Sequence, residues 1–340
     1  MREEEFRDKR ILFVSPPFFN YYKYISDELT GMGAIVHYHD ERNNPSSVEK
    51  IIYRTVPQML VSKVRRYYSG IIEEEKGFHP DYVLFNSPEA VDAQSVENMK
   101  KAFPEAKFIL CMWDSLENKN AKNVYHLFDR TFSFDPNDCK KYHMTFRPLF
   151  FIKTMQAQRI DSYKYDFSFI GTIHSDRAEI LYKLKKYCDE HGLTYYYYLY
   201  IPGNLLYTMR KATDSYVRKL GQYIHLEPTS KKTIAEISEN TRCVIDINHP
   251  KQTGLTMRTI EMLGLHQKIL TTNQNVKNYD FYEPGNQLVI GRDDIRIDKA
   301  LLGKSYVSVP EDVYEEYSIH SFVMDIFSDE EGKKYLKGKE

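Results

Sequence analysis

The stretch Cys243–Asn273, CVIDINHPKQTGLTMRTIEMLGLHQKILTTN, contains the features that decide the fold. It opens with an apolar run, Cys243–Ile247, and closes with another, Lys268–Thr272, and both have the length and composition of buried strands. A polar loop, Asn248–Gly254, and a predicted helix over Leu255–Leu265 lie between them. Strand, helix and strand in this order predict a βαβ unit of a parallel sheet.

The start of that predicted helix has the composition of an anion-binding site. Lys251 and Gly254 lie in the loop, and Thr256 and Arg258 lie in the first turn, where unpaired amides and the helix dipole favour negative charge. Glu261 follows Arg258 by three residues on the same side, where a carboxylate can accept two hydrogen bonds from a ribose diol. An ordinary amphipathic helix with a solvated Arg–Glu pair explains the same pattern, so the spacing leaves both interpretations open.

The alternation of strands and helices extends through the rest of the chain. In the first half, apolar runs that predict strands lie at residues 10–15, 34–39, 81–86, 107–113 and 130–134. A long helix is predicted there from about Ser47 to Lys76. The pattern pauses at residues 146–164 and begins again with Asp166–Gly171, and a helix over roughly Leu205–Leu220 follows. The alternation predicts two parallel-sheet domains with a boundary in the pause.

Composition narrows the class of protein. The 340 residues carry 47 Lys and Arg against 48 Asp and Glu, so a net charge of −1 gives no basic field for nucleic acid. The four cysteines form no CxxC pair, which disfavours a zinc ribbon and a disulfide framework. No apolar run approaches the ~18 residues that span a bilayer, and no signal peptide is recognisable. We therefore predict a cytoplasmic protein.

Motifs for several reaction classes are missing from the sequence. It contains no GxxxxGK[ST], HExxH or GxSxG motif, which disfavours P-loop, zincin and α/β-hydrolase chemistry. It also contains no Asp-x-Asp pair, which commonly holds a metal–diphosphate complex. His37 and His39 share a strand face and could ligate a metal with Asp40, although two histidines at a strand end are more often simply polar. We therefore predict no metal site.

Three segments resemble bacterial GT-B glycosyltransferases. Thr253–Asn273 is similar to a motif TGLTxRTxExLGxxxKxxTTN of capsule and lipopolysaccharide glycosyltransferase-like proteins, with a C-terminal domain like that of glycosyl transferase group 1. Asp166–Thr172, followed by Arg177, resembles the first strand and glycine loop of the same domain. Trp113-Asp114-Ser115 resembles a WDS element in the first half. The resemblance implies a GT-B fold, with two Rossmann-like parallel-sheet domains facing a central cleft.

The domain assignment that follows has three parts. Residues 1–155 form an acceptor-side Rossmann-like domain, residues 156–310 form the nucleotide-sugar donor domain, and residues 311–340 form a C-terminal helix that packs back toward the first domain.

The resemblance also implies site residues in the second half. It makes Glu261 the ribose ligand and places Thr256, Arg258 and the Gly171-Thr172 pair around the donor diphosphate; Arg177, Lys251 and Gly254 complete the predicted donor site. Many retaining GT-B enzymes carry a second glutamate eight positions earlier, where this chain has Thr253. Retention or inversion of configuration is therefore left open.

Predicted acceptor-side residues lie after strands of the first half. Asp114 suits a general base that takes a proton from an acceptor hydroxyl, but an aspartate there also suits a cap of the helix from Leu116 onward. Ser15, Phe18 and Tyr21 lie at or after the end of the first strand and can meet the acceptor, whereas a core role suits Phe18 and Phe19 at least as well.

A cationic segment suggests a second kind of contact. Lys63, Arg65 and Arg66 on a predicted helix can touch an anionic membrane surface, or they form a solvated helix face.

The sequence therefore predicts a glycosyltransferase of hexosyltransferase type. It would move a sugar from a nucleotide sugar, UDP- or GDP-linked, to a glycan or lipid-linked glycan of the cell surface, without cofactor or bound metal, in the cytoplasm or at the inner face of the membrane. A sugar-nucleotide epimerase or hydrolase and a non-catalytic assembly scaffold are the alternatives.

Overall fold

The computed structural model describes residues 3–17, 20–42, 49, 53, 56–116, 120–153, 163–328 and 335–337. The chain divides into two compact units, one of residues 1–150 and 316–335 and one of residues 151–315 and 336–340. Among the described residues each unit has one six-stranded sheet, and all strand pairs in both sheets are parallel. This confirms the predicted α/β class with two parallel sheets.

The first sheet has the strand order β2-β1-β3-β4-β5-β6. Its strands are β1 (Arg10–Ser15), β2 (Ile35–Asp40), β3 (Tyr82–Asn86), β4 (Lys107–Met112), β5 (Arg130–Ser133) and β6 (Thr145–Phe146). The inner strands β1, β3 and β4 are apolar and buried along almost their whole length, as expected where helices cover both faces of a parallel sheet. The edge strand β2 is more exposed.

Helices of the first unit connect these strands. They are α1 (Tyr21–Gly31), α2 (Val61–Glu74), α3 (Ala93–Ala102), α4 (Pro136–Tyr142) and α12 (Ile319–Phe327), with 3-10 helices at Glu3–Phe6, Pro57–Leu60, Asn120–Asn123 and Tyr125–Leu127. Within the helix predicted from Ser47 to Lys76, α2 begins at Val61, after a 3-10 turn that starts at Pro57. Residues 49 and 53 are also helical. Much of residues 47–55 lies outside the described part of the chain.

The helix α12, close to the end of the chain, belongs to the first unit. The Ser318 hydroxyl caps it by accepting the Ser321 amide. The ring of Phe327 packs edge-on against the rings of Phe6 and Tyr82, with centroids 5.5 and 5.0 Å apart. The apolar face of α12 therefore covers part of the first core.

The second sheet has the strand order β12-β11-β10-β7-β8-β9. Its strands are β7 (Tyr165–Thr172), β8 (Tyr195–Tyr200), β9 (Ile224–His225), β10 (Thr241–Asp246), β11 (Lys268–Thr271) and β12 (Gln287–Val289). The chain winds outward from β7 in one direction and from β10 in the other, so the strand order reverses between these two neighbours. Such a reversal is where ligands of open α/β sheets bind, beyond the carboxyl ends of the strands.

Helices of the second unit are shorter than predicted. They are α5 (Arg177–His191), α6 (Asn204–Thr213), α7 (Ser215–Lys219), α8 (Lys231–Glu239), α9 (Met257–Gly264), α10 (Lys299–Gly303) and α11 (Glu311–Glu315), with 3-10 helices at Gly221–Tyr223 and Gln274–Asn278. The single helix predicted near residues 205–220 is two helices. The Asp214 carboxylate accepts the amides of Tyr216 and Val217 at 2.9 and 3.3 Å and so starts a new helix there.

Candidate functional site

The carboxyl ends of β7 and β10 lie side by side in the middle of the second sheet, at the point where the strand order reverses. Four arginines from separate segments donate hydrogen bonds to backbone carbonyls at this edge. We call them the arginine cluster: Arg177, Arg210, Arg258 and Arg292. Their convergence makes this edge the candidate site.

Arg258 spans the two central strands from the first turn of α9. Its Nη2 donates to the carbonyl of Ile170 on β7 at 2.5 Å, and its Nη1 donates to that of Ile245 on β10 at 3.5 Å. The guanidinium lies 5.3 Å from the ring centroid of Phe169, within reach of a cation–π interaction. A Cβ added to Gly171 would lie 3.4 Å from Arg258 Nη2, so a glycine leaves room for the guanidinium.

Arg177, the first residue of α5, lies at the same strand ends. Its Nε donates to the Ile247 carbonyl at 2.9 Å, and its Nη1 donates to the Thr172 carbonyl at 3.0 Å. Burial and the positive charges of Arg258 and, more weakly, Arg292 lower the pKa of Arg177 to about 10. The lowered pKa reflects burial first and the neighbouring guanidinium of Arg258 second.

Arg292 and Arg210 extend the cluster to the neighbouring loops. Arg292 pairs with Asp176 at 2.6 Å and donates to the carbonyl and the side-chain oxygen of Asn248 at 2.8 and 2.7 Å. Arg210 of α6 donates to the Ile173 carbonyl at 2.9 Å. Sequence reasoning missed both arginines, because no local motif marks them and only tertiary structure brings their segments to this edge.

His174 lies shortly after β7, close to Arg177 and Arg210, and its pKa is lowered. Burial, followed by the charges of Arg177, His249 and Arg210, lowers its pKa to about 4. The imidazole is therefore neutral at physiological pH and adds hydrogen-bonding atoms rather than charge. Ser175, the next residue, has a φ of 50°, a left-handed conformation that non-glycine residues adopt at some cost, often at functional loops.

The start of α9 is fixed by a buried carboxylate. Thr256 is the N-cap of α9. The Thr256 hydroxyl accepts a hydrogen bond from the Thr259 amide at 3.3 Å and donates one to Asp246 Oδ1 at 2.9 Å. Thr259 donates to the other oxygen of Asp246 at 3.1 Å. The Thr256 side chain is thus engaged in capping, and the amides of residues 257 and 258 form the positive end of the helix.

The remaining predicted donor residues lie around this helix. Lys251 is exposed in the loop before α9, and Glu261 is half-buried one turn after Arg258. Gly254 is buried, and its carbonyl accepts hydrogen bonds from the side chains of Gln252 and Asn273, both at 3.0 Å.

Direct contact links part of the predicted donor set. Arg258 lies beside Gly171, and Arg177 bonds to Thr172. Lys251, Gly254 and Glu261 share the β10–α9 segment with Arg258.

In the first unit, Asp114 is half-buried and is the second residue after the end of β4 at Met112. The Leu116 amide, which a capping aspartate could accept, donates to another carboxylate. The Leu116 amide donates to Asp138 Oδ2 at 2.7 Å, and the Ser115 hydroxyl donates to Asp138 Oδ1 at 3.2 Å. The base assignment of Asp114 stays a prediction.

Two predicted acceptor-side residues are part of the packed interior. Ser15 is 1% exposed, and its hydroxyl donates to the Pro16 carbonyl and accepts from Asn86 at 3.1 Å. Tyr21 is 8% exposed and packs edge-on against Trp113, with ring centroids 5.9 Å apart. Both residues therefore pack in the interior of the first unit, and their contact with an acceptor stays a prediction. Phe18 lies outside the described residues.

The three cations predicted to touch a membrane lie on α2, and two of them have carboxylate partners. Lys63 forms an ion pair with Glu49, and Arg65 Nε lies 2.6 Å from Asp92 Oδ2. Arg66 is exposed. Within the described residues, no helix combines the length and the apolar character required to cross a bilayer.

Solved structures of similar fold cover nearly the whole chain. A structure titled "OtsA apo structure" aligns with a TM-score of 0.61 at 11% identity, covering 94% of this chain and 99% of that one. The crystal structure of a glycosyltransferase from Rickettsia africae ESF-5 aligns with a TM-score of 0.58 at 10% identity, covering 95% of this chain and 100% of that one. No protein-family model and no curated protein matches the sequence.

At these identities the likeness concerns the fold. The two units each have a parallel sheet with flanking helices, and the chain aligns over its length with a structure described as a glycosyltransferase. The predicted GT-B fold is thereby confirmed.

Proposed function

We propose that this chain transfers a sugar, of hexose type, from a UDP- or GDP-linked donor to a capsule, lipopolysaccharide or exopolysaccharide acceptor. The observation that carries the proposal is the arginine cluster at the reversal point of the second sheet. Glycosyl transfer breaks the bond between the anomeric carbon and the diphosphate, and negative charge develops on the departing oxygen. Cations held at that oxygen stabilise the transition state.

The arginines are suited to hold a diphosphate because their positions are fixed before it binds. Arg177 and Arg258 each use two guanidinium N–H groups on carbonyls. A guanidinium has five N–H donors, so further donors are available to phosphate oxygens. The amides at the start of α9 add to the same positive field.

Two carboxylates receive different tasks in this proposal. Glu261, one turn along α9 from Arg258, accepts hydrogen bonds from the ribose hydroxyls of the donor. Asp114 takes the proton of the acceptor hydroxyl as the new glycosidic bond forms. The predicted contact of Lys63, Arg65 and Arg66 with an anionic membrane is not part of the proposal, since Lys63 and Arg65 are paired with carboxylates.

An assay of donor consumption tests the proposal and separates it from its alternatives. UDP- and GDP-sugars are incubated with the chain, with and without glycan acceptors, and nucleoside diphosphate and sugar products are measured. Acceptor-dependent release of nucleoside diphosphate is expected. Conversion or hydrolysis of the donor without acceptor would indicate an epimerase or hydrolase, and no consumption with any donor would indicate a scaffold.

The same assay tests whether the leaving diphosphate needs a metal ion. We expect transfer to persist in excess chelator, because arginines and the helix start supply the positive charge. Complete loss of transfer that divalent ions restore would contradict this.

A further inference from the structure

The edge strand β2 carries His37 and His39 on one face, as alternate residues of a strand do. The sequence suggested Asp40 as their partner, but the Asp40 carboxylate accepts the Arg42 amide at 3.0 Å. Both imidazoles contact Glu75, the C-cap residue that follows α2. His37 Nδ1 lies 2.7 Å from Oε2, and His39 Nε2 lies 2.7 Å from Oε1.

A second carboxylate completes a group with the chemistry of metal ligands. One nitrogen of His39 and one carboxylate oxygen each of Glu74 and Glu75 all lie within 4.8 Å of one another. The Glu75 side chain is only 5% exposed, whereas Glu74 lies on the surface. We call these three residues the His39–Glu74–Glu75 cluster.

The basic side chains recorded beside this cluster are the two histidines that contact Glu75. Among the described residues, neither Glu74 nor Glu75 forms an ion pair with a lysine or arginine; the nearby Lys76 pairs with Glu73 at 3.6 Å. A divalent cation bound by the cluster would place positive charge beside two carboxylates, one of which is buried.

We propose that the His39–Glu74–Glu75 cluster binds a divalent transition-metal ion, with Zn²⁺ as the best fit. One imidazole nitrogen and two carboxylate oxygens are ligands that zinc accepts, and water can fill the fourth position. Ions such as Mg²⁺ and Ca²⁺ prefer oxygen ligands throughout, so the histidine favours zinc.

The ligand atoms, all within 4.8 Å of one another, are close enough to converge on one ion after side-chain adjustment. Tetrahedral zinc with bonds of about 2.0–2.1 Å separates its ligand atoms by about 3.3 Å. His39 Nε2 and Glu75 Oε1 are 2.7 Å apart, so a small separation of the two side chains admits the ion. His37 is stacked on Phe78, with centroids 3.8 Å apart, and orients the other oxygen of Glu75. The bound ion would fasten the end of α2 to the edge strand β2.

Metal titration of the full chain tests the site directly. After treatment with a chelator and its removal, Zn²⁺ binding is measured by calorimetry, and Co²⁺ is used as a spectroscopic probe of the ligand geometry. We expect one equivalent to bind, with Co²⁺ giving the strong visible absorption of a four-coordinate site. Zn²⁺ should also raise the melting temperature, since it binds the folded state.

Three variants separate a metal site from a hydrogen-bonded contact. Glu74→Gln removes a ligand but leaves the Glu75–histidine hydrogen bonds intact, so it should weaken Zn²⁺ binding at least tenfold without changing the stability of the metal-free chain. His39→Gln should weaken binding similarly. Glu73→Gln, on the adjacent exposed carboxylate, is the matched control and should bind Zn²⁺ like the parent chain.

Two results would overturn the proposal. One is the absence of a stoichiometric Zn²⁺ or Co²⁺ site in the parent chain. The other is binding by Glu74→Gln and His39→Gln that is as tight as that of the parent chain. Either would show that Glu75 and the two histidines form a hydrogen-bonded contact alone.

Discussion

Glu261 is the residue whose assignment depends most on its place in the helix. It lies on α9 one turn after Arg258, whose guanidinium is fixed between β7 and β10. Glu261→Ala removes hydrogen bonds to the ribose made in both the ground state and the transition state. It should weaken nucleoside-diphosphate binding by about 10–100-fold, corresponding to roughly 1.5–3 kcal/mol, and raise the donor KM. Calorimetric titration measures the change, and unchanged affinity would remove Glu261 from the donor site.

Substitution of Asp114 should affect turnover rather than donor binding, because the proposed role of this residue belongs to the chemical step. Asp114→Asn keeps the shape of the side chain but cannot accept the proton, so turnover should fall by about 10²–10⁴-fold while nucleotide affinity is nearly unchanged. Steady-state transfer and nucleotide titration on the same preparation separate the two effects. Transfer close to that of the parent chain would exclude Asp114 as the base.

His174 gives the stability of the chain a pH dependence that can be tested. Its pKa is about 4 in the folded chain, against 6.5 as the ordinary value, because burial and the neighbouring cations disfavour protonation. Between these values the unfolded chain binds more protons, so this group makes stability rise with pH from about 4 to 6.5. We expect His174→Gln to flatten that rise in urea unfolding midpoints. An equal slope in the parent chain and the variant would contradict the lowered pKa of His174.

At the scale of elements, the packing of α9 depends on its last residue. A Cβ added to Gly264 would overlap the ring of Phe151, which lies directly against this glycine. The Gly264 carbonyl also accepts a hydrogen bond from Tyr314 of α11 at 2.9 Å. Gly264, in the Leu263-Gly264 pair of the motif, therefore permits α9 to pack closely against Phe151.

Gly264→Ala should destabilise the chain by about 1–3 kcal/mol through overpacking. Urea unfolding measures this loss, with Gly303→Ala as the control because a Cβ there meets no atom within 4 Å. If both variants lost the same stability, the contact with Phe151 would not be the cause.

The elements that sequence reasoning predicted well are those with strong apolar patterns. The inner strands β1, β3, β4, β7 and β10 were recognisable because both of their faces are buried. The strands β6 and β12 were missed because two or three residues carry no periodic signal. The division between α6 and α7 depends on one capping side chain, Asp214, which the helical pattern around it obscured.

At the scale of the whole molecule, sequence reasoning found only part of the candidate site. Arg177 and Arg258 lie in the first turns of helices that follow predicted strands, so their position was predictable. Arg210 and Arg292 were not, since their segments reach the site through tertiary packing. The burial of Ser15 was not predictable either, since its place at a strand end does not show that its hydroxyl is buried against Asn86.

Titration of the full chain with UDP and GDP tests most directly whether the arginine cluster holds the donor diphosphate. The parent chain is compared with Arg258→Gln and with the control Arg296→Gln, whose side chain is 87% exposed in the same unit and pairs with Asp294. Circular dichroism verifies that all three are folded. We predict that one of the two nucleotides binds the parent chain and the control alike and binds Arg258→Gln about 10–100-fold more weakly, as expected for lost hydrogen bonds to a charged group. Absence of binding to the parent chain, or equal binding by Arg258→Gln, would contradict the assignment of a diphosphate to this site.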